Sequence, residues 1–327
     1  MRKAKAIVGC ILCVAMCSAR VFAADLDSAF LKRMLERHRP HPMLNIADRG
    51  ASMLAPENTI PAIEKAFMLG ADVVRVGAHL TKDEAIVVLQ DHDLSRTTNV
   101  RSVFPNRRST FVRDFTLSEV GRLDAGGYFA REDPYGTIRS GAVSREEARL
   151  YASGSVKVPT LDEVVTLAKR YDAALDIEIR QLPGFYPKIG ELVLDAVKRA
   201  GMEERVLISS LDHTLLYEMK KKNAKVDYAP VMLERLYLPG RYTRDNLGMR
   251  SLELAYDLLA VEFGYPKNEA DFADALKRKV GMLVWGANDA EAFPVLLRLG
   301  VAGAITQRPE LLEAYLDRLF GDDEGRR

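Results

Sequence analysis

Apolar positions along the chain switch between two periods. Phe30, Leu31, Met34 and Leu35 recur at helical spacing, which predicts a leading amphipathic helix packed against the body. A short apolar run at 44–47 predicts a strand, after which Asn58 can cap a helix over 59–69 that Gly70 stops. Residues 71–80 predict a second strand. Thr81, Lys82, Asp83 and Glu84 form a turn too short to hold a helix, so 85–89 is expected to return as a hairpin partner. Further strand patterns lie at 174–179, 206–209, 226–232, 258–263, 282–285 and 302–305, with helical patterns between them. Within 188–200, for example, Ile189, Leu192, Val193, Ala196 and Val197 form one stripe that ends before Gly201.

Strand and helix alternate without a Pro/Ser-rich linker, the pattern of an α/β fold closed into a parallel TIM-type (β/α)8 barrel over residues 24–327. The candidates number one more than eight, and 85–89 is the expected supernumerary piece. Residues 99–157 break the alternation. They hold only short helical fragments such as 117–123 and a charged stretch at 145–149, and read as an insertion over one end of the barrel. The tail, 321–327, is expected to fray, and nothing repeats internally.

The first 23 residues have a different character. Arg2, Lys3 and Lys5 precede an apolar run over 6–15, and Val21-Phe22-Ala23 offers a small-residue cleavage site, so 1–23 is expected to be a secretory signal peptide. The run is too short to leave a transmembrane span in the mature chain. Cys10, Cys13 and Cys17 all lie in the leader, so cleavage after Ala23 removes every thiol from a protein bound for the periplasm or the medium. Lipid anchoring at Cys17 is the competing reading; the large Met16 before it disfavours that. Without the leader's Arg2, Lys3, Lys5 and Arg20, 43 of the 47 basic residues remain against 46 acidic ones. The balance argues against a protein held on nucleic acid by bulk charge.

Several short motifs then carry chemistry. Ala47-Asp48-Arg49-Gly50-Ala51-Ser52, Ala55-Pro56-Glu57-Asn58-Thr59, Gly70-Ala71-Asp72, Leu80-Thr81-Lys82-Asp83 and Leu94-Ser95-Arg96-Thr97-Thr98-Asn99 follow one another in order. Leu123-Asp124-Ala125-Gly126, Val158-Pro159-Thr160-Leu161-Asp162-Glu163-Val164, Ile177-Glu178-Ile179, Trp285 to Asn288, and Gly300-Val301-Ala302-Gly303 leading to Thr306 continue the series. The set resembles the glycerophosphodiester phosphodiesterases, within the phospholipase C-like phosphodiesterases, over nearly the whole mature chain. The resemblance implies an active site at the carboxyl ends of the barrel strands. It also implies hydrolysis of phosphodiesters by two histidines as acid and base. A calcium or magnesium ion would be held by a Glu-x-Asp pair and a later Glu, the oxygen ligands such cations take.

Four of those positions depart from the family pattern. Asp48 stands for the first His, Arg75 and Gly77 for the Glu and the Asp, and Gln90 for the second His. Glu178 is the one family ligand kept, Arg49 keeps the place of a phosphate-binding group, Arg180 replaces a Lys, and Gln307 replaces an Asp after Thr306. Losing two carboxylates and gaining a guanidinium works against a divalent cation, and Gln90 does not titrate. Metal-dependent hydrolysis is therefore expected to be lost, with no cofactor required.

Several readings follow. Arg49, Arg75 and Arg180 form an ion-pair network with Asp48, Asp91 and Glu178, or the three guanidiniums hold a phosphate ester or glycerophosphodiester without cutting it. Alternatively, hydrolysis persists with calcium or magnesium through relocated groups, with Asp48, His79, His92 and Glu178 as candidates; strand alternation puts His79 on the face of Arg75 and Gly77. A further reading makes the insertion a surface for a protein partner, which the sequence does not identify. Elsewhere, His213 reads as a surface residue at a helix start, Trp285 and Tyr128 as cavity lining or barrel packing, and Glu57 and Asn58 as turn and cap.

Overall fold

The computed structural model describes residues 26–37, 41–180, 185–234, 236–259, 261–262, 265–266 and 269–321. The leader with its three cysteines and the tail beyond Gly321 lie outside them. The strands are β1 (Leu44–Asp48), β2 (Val73–Leu80), β3 (Ile86–Val88), β4 (Ala174–Ile179), β5 (Val206–Ser210), β6 (Asp227–Met232), β7 (Ser251–Ala255), β8 (Val261–Glu262), β9 (Tyr265–Pro266), β10 (Gly281–Trp285) and β11 (Gly303–Thr306).

Eight of these run parallel in the order β1-β11-β10-β7-β6-β5-β4-β2, and β2 pairs back onto β1 to close the barrel. β3 joins the rim only as an antiparallel partner of β2, which accounts for the ninth strand read from the sequence. One strand departs from expectation. The described residues of the segment 258–263 form no barrel strand: Tyr256–Leu259 is a 3-10 turn, and β8 pairs with β9 in a separate small sheet. The barrel takes β7 instead, where Leu252 and Leu254 join the outer core with Met282 and Val284 while Ser251 and Glu253 alternate with them. A strand that turns polar residues inward lacks the apolar run that marks its neighbours.

The bottom of the barrel is filled by the leading helix, Ala29–Arg37. Phe30, Leu31, Met34 and Leu35 are buried in one cluster with Leu44, Ile46, Val73, Leu207, Leu283 and Ile305 from the strands. Asp227 at the start of β6 fixes the approach by accepting from the Phe30 amide at 2.7 Å and from Ser28 Oγ at 2.9 Å. Gly281 is required here, because a Cβ on it would stand 2.1 Å from Leu31 Cδ1.

Helices such as Ile60–Met68, Leu161–Arg170, Ile189–Ala200 and Pro309–Phe320 cover the outside. Their ends follow local chemistry: Thr160 and Glu163 form a capping box, and Gly201, at φ 65°, closes the helix before it. The insertion is built of short helices, including Gly127–Glu132 and Arg145–Ala152. Val100, Val112, Phe115, Val120 and Leu123 bury against Val87 and Leu89, so the insertion packs on the hairpin beyond β2, beside the barrel mouth.

Candidate functional site

Strand ends bring the charged residues together. Asp48 ends β1, Arg75 lies within β2, Asp176 and Glu178 lie within β4 and Glu253 within β7. Register pairs Asp48 with Arg75, Arg75 with Asp176 and Gly77 with Glu178. Arg75 sits at the centre, its side chain 7% exposed. Its Nη2 is 3.0 Å from Glu178 Oε2 and 3.1 Å from Glu253 Oε2; its Nε is 3.5 Å from Asp176 Oδ2, and its Nη1 is 3.7 Å from Asp48 Oδ1. Burial works against the charge on Arg75, but these four carboxylates outweigh it and push its pKa above the ordinary arginine range.

Asp176 and Glu253 are fully buried. Burial raises both pKa values, Glu253 well above the usual carboxyl range, and Arg75 opposes the rise in each. Asp176 Oδ1 accepts from Ser209 Oγ at 2.7 Å, whereas neither Glu253 oxygen accepts a hydrogen bond among the described residues. Two acids this close in a dry interior hold a proton between them more readily than two charges.

Further pairs carry the network outward. Arg180 Nη1 donates to Glu178 Oε1 at 2.7 Å, and its Nε to the Gln90 carbonyl at 3.1 Å. Arg49 donates from Nε to Asp48 at 3.2 Å and from Nη1 to Glu57 at 2.9 Å, and Arg96 bridges Glu57 and Asp91. Glu57 is thus a buried member of the network, held also through its amide, which donates to Tyr128 Oη at 3.2 Å. Asn58 has φ 57° and accepts from the Gly77 amide through Oδ1 at 3.2 Å, so it braces β2, while Thr59 takes the N-cap position of the helix. Tyr128 comes from the insertion and packs over this corner, and Trp285 stands half-buried at the end of β10 against the inner core.

The two histidines lie together beside Arg180. Their rings meet edge to face at 4.9 Å. His79 is fully buried, with Nε2 3.4 Å from the Gln90 carbonyl and Nδ1 3.4 Å from Tyr186 Oη; the first contact requires Nε2–H, so the hydroxyl donates to Nδ1. Burial, with His92 and Arg180 adding to it, pushes its pKa down to about 3. His92 is half-buried and is shifted down by burial and then by Arg180 and Arg113, with Asp91 opposing. His213 is held inside a contact rather than on open surface: Nδ1 is 2.9 Å from Tyr242 Oη and Nε2 3.0 Å from the Val231 carbonyl.

A profile of the glycerophosphoryl diester phosphodiesterase family matches residues 49–311. The chain belongs to that family. It is 33% identical over 270 residues to a glycerophosphodiester phosphodiesterase of Caldanaerobacter subterraneus subsp. tengcongensis, across 82% of this chain and 96% of the relative. Among solved structures it resembles an Oleispira antarctica phosphodiesterase in complex with its product sn-glycerol-3-phosphate, at TM-score 0.68 and 20% identity. That match covers 85% of this chain and 97% of the other. A glycerophosphodiester phosphodiesterase from Agrobacterium tumefaciens aligns at TM-score 0.63 and 20% identity, over 82% and 98% of the two chains. At that identity the two structures speak for the fold.

Within the glycerophosphoryl diester phosphodiesterase barrel, Gly77 has closed over. A Cβ there would meet the Leu89 carbonyl oxygen at 2.2 Å, and the Leu89 amide donates to the Gly77 carbonyl at 2.9 Å. The backbone of residue 89 fills the space that a side chain at 77 would need. Sequence reading missed Asp176 and Glu253, gave Arg96 no role, and took Glu57 for a turn residue where it is an ion-pair partner of Arg49 and Arg96. Asp176 is hidden inside the apolar run of β4; Glu253 is flagged only by the alternation of Ser251 and Glu253 with Leu252 and Leu254.

Proposed function

We propose that this barrel is a member of the glycerophosphoryl diester phosphodiesterase family that has given up metal-dependent hydrolysis and binds a phosphate ester at its mouth, outside the cytoplasm. The observation that carries the first half is the guanidinium of Arg75 set among Asp48, Asp176, Glu178 and Glu253. The residues present do not fit a divalent cation. The four acids already surround a fixed positive charge, and a second cation beside it would meet like-charge repulsion in a buried setting. Oxygen ligands at the short distances calcium or magnesium require are lacking as well: among the described residues, no three acidic or imidazole groups converge closely enough.

Arg49 and Arg180 support the second half. Their side chains are 18% and 27% exposed, so both reach the mouth that Arg75 does not. A guanidinium has five donors, and the bonds Arg49 makes to Asp48 and Glu57 leave some of them over. Arg75 acts here as a support that holds Asp48 and Glu178, and through them the two outer arginines.

Two measurements test the reading together. Purified protein given glycerophosphocholine with calcium, magnesium, manganese or zinc is expected to release no glycerol phosphate. Glycerol 3-phosphate at millimolar concentration is expected to give calorimetric heat that Arg49→Gln weakens. Turnover that requires an added metal would overturn the loss of hydrolysis, and absence of heat would overturn the ligand.

A further inference from the structure

One rim of the mouth has a cation that the network does not use. Arg113, from the insertion, lies with its guanidinium carbon 3.8 Å from the centroid of the Phe185 ring, and among the described residues it forms no ion pair. Phe185 meets His92 at 5.1 Å, His92 meets His79 at 4.9 Å, and the Gln90 carbonyl joins His79 to Arg180 Nε. An unbroken series of contacts therefore leads from Arg180 to Arg113. Phe111, 43% exposed, stands at the outer edge, 6.5 Å from Phe185.

Arg113 and His92 give this rim two donors that an oxyanion can use. Of the neighbouring carboxylates, Asp91 is paired with Arg96, while Asp93 and Asp114 keep their charge and are engaged by the hydroxyls of Ser95 and Thr110 and of Ser109. Burial lowers the His92 pKa, and Arg180 and Arg113 add to the shift against Asp91. A neutral imidazole offers a hydrogen bond without demanding a counter-charge. An arginine laid flat on an aromatic ring is held in orientation and shielded from water on one face, which sharpens its preference for planar or tetrahedral oxyanions.

The geometry points to a second anion subsite formed by Arg113, Phe185 and His92 beside Arg180, which selects phosphodiesters whose head group carries another negative charge over those with a cationic head group. This assignment rests on the reading of the mouth as a phosphate-ester site, and adds the substrate class.

Calorimetry on the full-length mature protein with three probes tests it: glycerol 3-phosphate, glycerophosphocholine and glycerophosphoinositol 4-phosphate. The inositol phosphate diester is expected to bind about three- to tenfold more tightly than the choline diester, a margin that shrinks with added salt. Arg113→Gln, at an exposed position, should erase that margin and leave glycerol 3-phosphate unchanged; Arg113→Glu should reverse it. Equal binding of the two diesters by the unaltered protein, or a margin that survives Arg113→Gln, would overturn the subsite alone. If glycerol 3-phosphate fails to bind while the inositol phosphate diester binds through Arg113, the subsite stands and the central phosphate site falls. If no probe binds, both fall.

Discussion

At the scale of single residues, Arg75 is the one on which the others depend. Removing one partner from a buried ion cluster leaves uncompensated charge, typically at a cost of about 3–5 kcal/mol. Arg75→Met is expected to lose stability of that order in urea unfolding, because Asp176 and Glu253 are fully buried and Glu178 nearly so. Glu253 gives a second expectation, with a sign. Its folded pKa is raised, mainly by burial, so the native state keeps the proton after the unfolded chain has lost it at about pH 4.3. Stability from this group is full below that pH and declines as pH rises toward the folded value. Glu253→Gln, which cannot ionise, should therefore gain on the unaltered protein as pH is raised from 4 to 8; a gap that narrows over that range would contradict the assignment. The family motifs made Asp48, Arg75, Gln90, Glu178 and Arg180 legible in the sequence. Asp176 and Glu253 were not legible, since nothing in a linear string tells which carboxylates on separate strands will face one guanidinium.

Among elements, β2 and the hairpin beyond it decide what the site can become. Because the Leu89 carbonyl stands where a side chain on residue 77 would go, the family's acid cannot be restored by substitution alone. Gly77→Asp is expected to destabilise the fold by about 1–3 kcal/mol or more through overpacking, and calcium titration of the variant should give no added stability. The leading helix was legible from the spacing of Phe30, Leu31, Met34 and Leu35, though its place inside the barrel was not: periodicity gives an apolar face but not what covers it. Leu31→Ala should cost about 2–5 kcal/mol, as for a fully buried leucine. The sixth barrel strand was misread because the run at 258–263, apolar except for Glu262, outweighed the alternating pattern at Ser251–Ala255.

For the whole molecule, the proposed replacement of a metal by the Arg75 guanidinium has a measurable consequence. A resident side chain does not dissociate, so the unfolding midpoint is expected to be the same in chelator and in millimolar calcium. A metal held only by the native state would instead raise the midpoint with concentration. Fold class was the most legible property of all, since it depends on alternation summed over hundreds of positions and tolerates one misplaced strand. Head-group preference was the least, because it depends on Arg113 and Phe185, which are far apart in the chain and belong to no motif.

The circular pairing of β1 has an outcome during synthesis. Leu44–Asp48 bonds on one side to β2 and on the other to β11, near the carboxyl end. Until residues 303–306 are made, the opening strand keeps a bare margin of amides and carbonyls, open to any passing extended peptide. A nascent or truncated chain is thus sticky at its beginning for want of its end.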